Sequence, residues 1–118
     1  MVSILLEYTL LEAVVGSTSA ERVLLFLVAR DQGYATDIAR TFNTDLSPIQ
    51  KQLERMERDG LLINQKVGNT RVYSFNPRYA FVGEVKQLVT KALDMCPESI
   101  KESLLYNRRR PRKKGKAL

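Results

Sequence analysis

The sequence predicts a mainly α fold carrying one small β-hairpin. Three observations lead there. Apolar residues recur at helical spacing in successive segments up to Gly60. The period then changes to that of strands in "LLINQKV" and "TRVYSF", two β-prone runs around Gly68-Asn69. Helical spacing resumes after Asn76-Pro77. A length of 118 residues suits one domain with its own core. A content of 44% hydrophobic and 27% charged residues is ordinary for a globular chain.

The elements follow in order. "SILLEYTLLEAVV", residues 3–15, predicts a first helix apolar around most of its circumference, ended by Gly16 and Ser17. Thr18 and Glu21 read as a capping box for a second helix, "AERVLLFLVARDQ", with Val23, Leu24, Phe26, Leu27 and Val28 inward and Gly33 as its stop. "YATDIARTF" predicts a short third helix with Ile38, Ala39 and Phe42 inward. After the turn "NTD", Ser47-Pro48-Ile49-Gln50 reads as a second capping box with proline at the first helical position; Asp45 competes as the cap. Ile49, Leu53 and Met56 form the apolar stripe of this fourth helix, and Gly60 ends it. After the hairpin, Phe81, Val85, Leu88, Ala92 and Met95 run along one face of a further helix, with Val82, Val89 and Leu93 beside them. "ESIKESLLY" predicts a short last helix beyond Pro97.

Composition narrows the function. The chain has no His, which excludes Ser–His and Cys–His catalysis and most zinc sites. It has no phosphate-cradling glycine motif. We therefore expect no enzymatic activity, no metal and no cofactor. No apolar run reaches membrane-spanning length, and no signal peptide is visible. A single Cys predicts a reducing, cytoplasmic location. The net charge of +6 is unevenly placed: "RRRPRKKGK", from Arg108 to Lys116, holds seven of the 19 basic residues, leaving 12 basic against 13 acidic residues in 1–107. The expected division is a folded body, 1–107, and a basic tail, 108–118, that attracts nucleic acid through Arg108, Arg109, Arg110, Arg112, Lys113 and Lys114.

Helix, helix, short helix, turn, capped helix and hairpin is the order of a winged helix-turn-helix. In that arrangement the short helix braces the next one, which lies in a DNA major groove while the hairpin reaches the adjacent minor groove or backbone. At 100° per residue, Leu53 and Met56 stay within about 40° of Ile49. Ser47, Lys51, Glu54 and Arg58 fall on the opposite face, with Gln50 and Arg55 on its flanks. Ser, Gln, Lys and Arg are partners for base edges and phosphates. Glu54, Glu57 and Asp59 fit an ordinary solvated face instead. The hairpin tip adds Lys66, Asn69, Thr70 and Arg71.

The segments "GYATDIARTF", "LSPIQKQLERMERDGLL" and "VGNTRVYSFNP" together resemble the ArsR-type winged helix-turn-helix of transcription regulators over roughly residues 10–93. Related winged helices accompany nucleotidyltransferases. The resemblance implies a DNA-binding homodimer, joined through flanking N- and C-terminal helices, here the first helix and that of residues 80–95. It carries the reading face onto Asp45, Ser47, Gln50, Lys51 and Arg55, and the wing onto 66–71. The Cys-x-Cys pair of metal-sensing members is absent. Cys96 stands alone, as a buried thiol or as a redox switch through an intersubunit disulfide. Tyr73 and Tyr79 read as core residues at the base of the hairpin, the alternative being base stacking. The expected function is sequence-specific regulation of transcription on double-stranded DNA. The alternative is an adaptor that docks a protein partner, such as a nucleotidyltransferase chain, while its tail grips nucleic acid.

Overall fold

A computed structural model describes residues 9–105; the start of the expected first helix and the basic tail 108–118 lie outside the described residues. Within them the chain is mainly helical, with a small three-stranded antiparallel sheet. In chain order the elements are α1 (Glu12–Val15), α2 (Thr18–Arg30), β1 (Gln32–Gly33), α3 (Ala35–Phe42), α4 (Leu46–Arg58), β2 (Leu62–Val67), β3 (Thr70–Phe75), α5 (Val82–Asp94) and α6 (Glu98–Leu105). The strands lie in the order β1-β3-β2. No described helix is long and apolar enough to cross a membrane.

α2 is the centre of the molecule. Residues 20–27 are all buried, so elements pack around most of its girth. α3, α4, α5, α6 and the sheet supply that cover, and Ile38, Ile49, Leu53, Leu62, Val89, Ile100 and Leu104 share one buried core with Val23, Phe26 and Leu27. Each fully buried large aliphatic side chain contributes about 1.5–3 kcal/mol. The start of α2 differs from the expected capping box. Ser17 is the cap, its Oγ accepting from the Ala20 N–H at 3.0 Å. Thr18 is already helical and donates to Glu12 at 3.1 Å. Glu21 is buried, and its carboxylate accepts the Leu10 N–H at 2.7 Å, tying the entering chain to the first turn of α2. Burial lowers the Arg22 guanidinium from its ordinary value, with Glu21 and Glu12 opposing the shift. It rests 5.8 Å from the Phe42 ring centroid.

Three more expectations change. The first helix is shorter among the described residues: only Glu12–Val15 are helical, Leu11 is buried in this chain's own core, and Val14 is 69% exposed. Gly33 does not stop α2, which ends at Arg30 with Asp31 at φ 71. Gly33 instead pairs with Tyr73 in β1. A Cβ there would lie 2.4 Å from Phe26 Cε1, so the strand approaches the core only without a side chain. This two-residue strand has no pattern of its own, and pairing with β3 creates it. Finally, α4 starts at Leu46 with Asp45 as its cap residue, and neither the expected Ser47–Gln50 box nor an Asp45 side-chain cap forms. Pro48 falls in the first turn, where a missing N–H leaves no helical bond unmade.

The C-terminal part closes the core. α5 buries Val89, Ala92 and Leu93, and Cys96 is buried just beyond it. The expected stripe is turned: of its members only Ala92 is buried, while Phe81, Leu88 and Met95 are exposed. The last turn of α6 is held by Arg30, whose Nε and Nη2 donate to Leu104 O at 2.8 Å and Ser103 O at 2.7 Å. A cation at a helix C-terminus also opposes the dipole charge there. The same guanidinium sits 3.9 Å from Asp37 and 4.8 Å from the Phe26 ring centroid. The chain therefore leaves α6 close to the first turn of α3.

Candidate nucleic-acid interface

The site is built from a tight turn between two helices and a hairpin that follows them. Asn43 ends α3 in the left-handed region, φ 55 and ψ 52, which Asn tolerates better than most residues. Its N–H and that of Thr44 return to Arg40 O and Ala39 O at 3.1 and 3.0 Å. This reverses the chain within three residues and sets α4 against α3. Ile49, Leu53 and Met56 then lock α4 to the core, as its apolar spacing predicts. Ser47, Gln50, Lys51, Glu54 and Arg58 are exposed.

The hairpin is braced at its base. Asn76 donates from its backbone to Leu61 O at 2.8 Å and from its side chain to Gly60 O at 2.9 Å. Asn64 of β2 donates to Glu57 of α4. Leu62, Tyr73 and Phe75 face the core. At the tip, Gly68 at φ 63 precedes Asn69, which lacks a positive φ; this is the pattern of a type II′ turn. Lys66 stands directly across from Arg71. Like charges in that position destabilise a hairpin. Among the described residues neither forms an ion pair, so the tip presents two unneutralised cations.

These parts enclose an open cleft of about 520 Å³. Tyr34, Ala35 and Thr36, at the start of α3, border one side; Gln50 and Glu54 of α4 a second; Asn69, Thr70 and Arg71 of the hairpin the third; Leu53 and Tyr73 complete the lining. Tyr73 is buried, as its reading as a core residue requires, and Tyr79 is half-buried. Of the sequence-expected residues, the structure brings Gln50, Asn69, Thr70 and Arg71 together. Asp45, Ser47, Lys51 and Lys66 are exposed on the same elements without lining the cleft. Arg55 is elsewhere. It is half-buried, its Nε donates to Gln52 at 2.9 Å, and it lines a second concavity on another flank of α4. The reason is angular: 100° separates it from Glu54. Arg108, Arg109, Arg110, Arg112, Lys113 and Lys114 lie outside the described residues.

The second concavity, about 330 Å³, is mostly apolar. Val14 and Val15 of α1, Met56, Leu61 and Tyr79, and Val85, Leu88 and Val89 of α5 line it, with Arg55 and Asp59 at its polar edge. Among the described residues no cluster of His, Cys, Asp and Glu is arranged to hold a metal ion. Sequence reasoning missed the opening of α3 as a wall of the cleft. The packing of α3 against α4 brings it there, a contact between residues fourteen or more positions apart that no local window contains. Comparison with known proteins found no matching family model, no matching curated protein and no matching solved structure.

Proposed function

We propose that this chain is a sequence-specific DNA-binding regulator of the winged helix-turn-helix type, acting as a homodimer. α4 enters the major groove and the β2–β3 hairpin reaches the neighbouring backbone or minor groove. One observation carries the reading. The polar face of a core-locked helix, through Gln50 and Glu54, and a hairpin tip carrying Arg71 border the same open cleft, and Lys66 stands across the hairpin from Arg71. A thirteen-residue helix is about 20 Å long, and the major groove, about 12 Å wide, admits one. The basic tail supports the reading by charge, with seven cations from Arg108 to Lys116 that attract phosphate. The homodimer is supported by exposed apolar side chains: Val14 of α1 and Leu88 of α5, which line one concavity, and Phe81 and Met95 at the two ends of α5.

A second reading is the protein-docking adaptor. Two observations favour it: Glu54 lines the cleft with Arg71 as the one cation of its lining among the described residues, and Arg55 lines the apolar groove instead. Selection of bound duplexes from a random library at moderate salt separates the two. The DNA reading expects a palindrome with half-sites one turn, about 34 Å, apart. Failure to enrich any sequence rejects it in favour of the adaptor.

A further inference from the structure

Glu54 is out of place on a surface meant for phosphate. It is exposed, it lines the cleft together with Gln50 and Arg71, and among the described residues it forms no ion pair. An ionised carboxylate only accepts hydrogen bonds, and so do phosphate oxygens. On a DNA-facing helix it therefore repels the backbone, and the favourable partners left to it are donors on base edges. In the major groove these are the N4 amino group of cytosine and the N6 amino group of adenine. Adenine also presents its N7 acceptor beside N6, which a carboxylate cannot satisfy and an amide can.

We propose that Glu54 is a specificity-determining residue that accepts a hydrogen bond from cytosine N4 in each half-site, an inference that rests on the DNA-binding reading above. Gln50 lies one turn earlier on the same cleft wall. An amide suits adenine, to which it bonds through both N6 and N7. Four residues of helix rise about 6 Å, close to two base steps of about 3.4 Å. The half-site then carries an adenine and a cytosine about two positions apart, read by Gln50 and Glu54. The carboxylate also weakens binding to sequences lacking the cytosine, because guanine and thymine edges present acceptors there and adenine sets its N7 acceptor beside the N6 donor.

The test is selection of bound duplexes by the full chain and by its Glu54→Ala and Glu54→Gln variants, followed by titration of the selected and single-base-altered duplexes. The wild-type chain should enrich a motif with one invariant cytosine per half-site. Glu54→Ala should lose discrimination at that position alone, by roughly 5- to 150-fold, and hold or gain affinity for random duplex. Glu54→Gln, nearly isosteric, should move the preference there from cytosine to adenine. Variants that bind every duplex more tightly by one common factor, with the motif unchanged, overturn the proposal and leave the DNA reading standing. A wild-type chain that enriches no motif removes the DNA reading, and Glu54 as a base reader with it.

Discussion

The two concavities flanking α4 differ in the polarity of their linings. One is polar and bordered by exposed Gln50, Glu54 and Arg71. The other is apolar, bordered by Val14, Leu88 and Met56, with Arg55 and Asp59 at its edge. Glu54 and Arg55 are neighbours in sequence and belong to different surfaces. A single helix thus serves two faces, and a residue's role on it follows from its angle to the core stripe of Ile49, Leu53 and Met56. Charge type alone would have grouped Arg55 with Lys51.

The largest expected effect lies beneath both surfaces. Leu11 is 5% exposed, so Leu11→Asp places a charge in the core of its own chain. It should remove several kcal/mol of stability, roughly 3–5, and unfold much of the protein. Leu53→Ala, a fully buried site next to the cleft, should cost about 2–5 kcal/mol. Urea denaturation followed by circular dichroism measures both. A Leu11→Asp protein that melts normally would return that residue to the surface.

Deletion of residues 108–118 comes next. The body is nearly neutral, so the tail should supply most long-range attraction to DNA. With each neutralised phosphate contributing about −0.9 to the slope of log K against log salt, loss of the tail should flatten it by roughly two to six units. Sequence preference should stay the same, since phosphate contacts carry no base information. Binding to specific and random duplexes across several salt concentrations checks this. An unchanged slope shifts the balance to the adaptor.

On the exposed face of α4, Gln50→Ala in the cleft wall and Lys51→Ala beside it should weaken specific binding by about 1–3 kcal/mol and random binding by less. Equal losses on all duplexes would make them backbone contacts. On the apolar side, Leu88→Asp, at 41% exposure, should leave the fold intact and turn a dimer into a monomer in sedimentation. A wild-type chain that sediments as a monomer breaks that half of the comparison. The smallest effect tests the division itself: Arg55→Ala should alter DNA binding by under about 0.5 kcal/mol. A loss as large as that of Gln50→Ala would merge the two surfaces.

Much of the architecture was legible in local pattern. The spacing of Ile49, Leu53 and Met56, the three-residue turn before α4, and two β-prone runs around Gly68-Asn69 are short-range features, and each led to the element observed. Gln50, Asn69, Thr70 and Arg71 were legible for the same reason: a core stripe defines the face opposite it, and a tight turn defines its tip. Tertiary packing decided the rest. β1 exists because Gly33 lets the backbone come up to Phe26 and pair with β3, a contact across forty residues that no local window contains. The side of α5 that turns inward was set by α2, which takes Val89, Ala92 and Leu93 and leaves Phe81, Leu88 and Met95 outside. The assignment of Arg55 to the apolar groove needed α1 and α5 in place to make that groove. The sequence by itself determined which faces were apolar, because periodicity is local. Only the fold determined which of them were covered, because cover comes from residues far away in the chain.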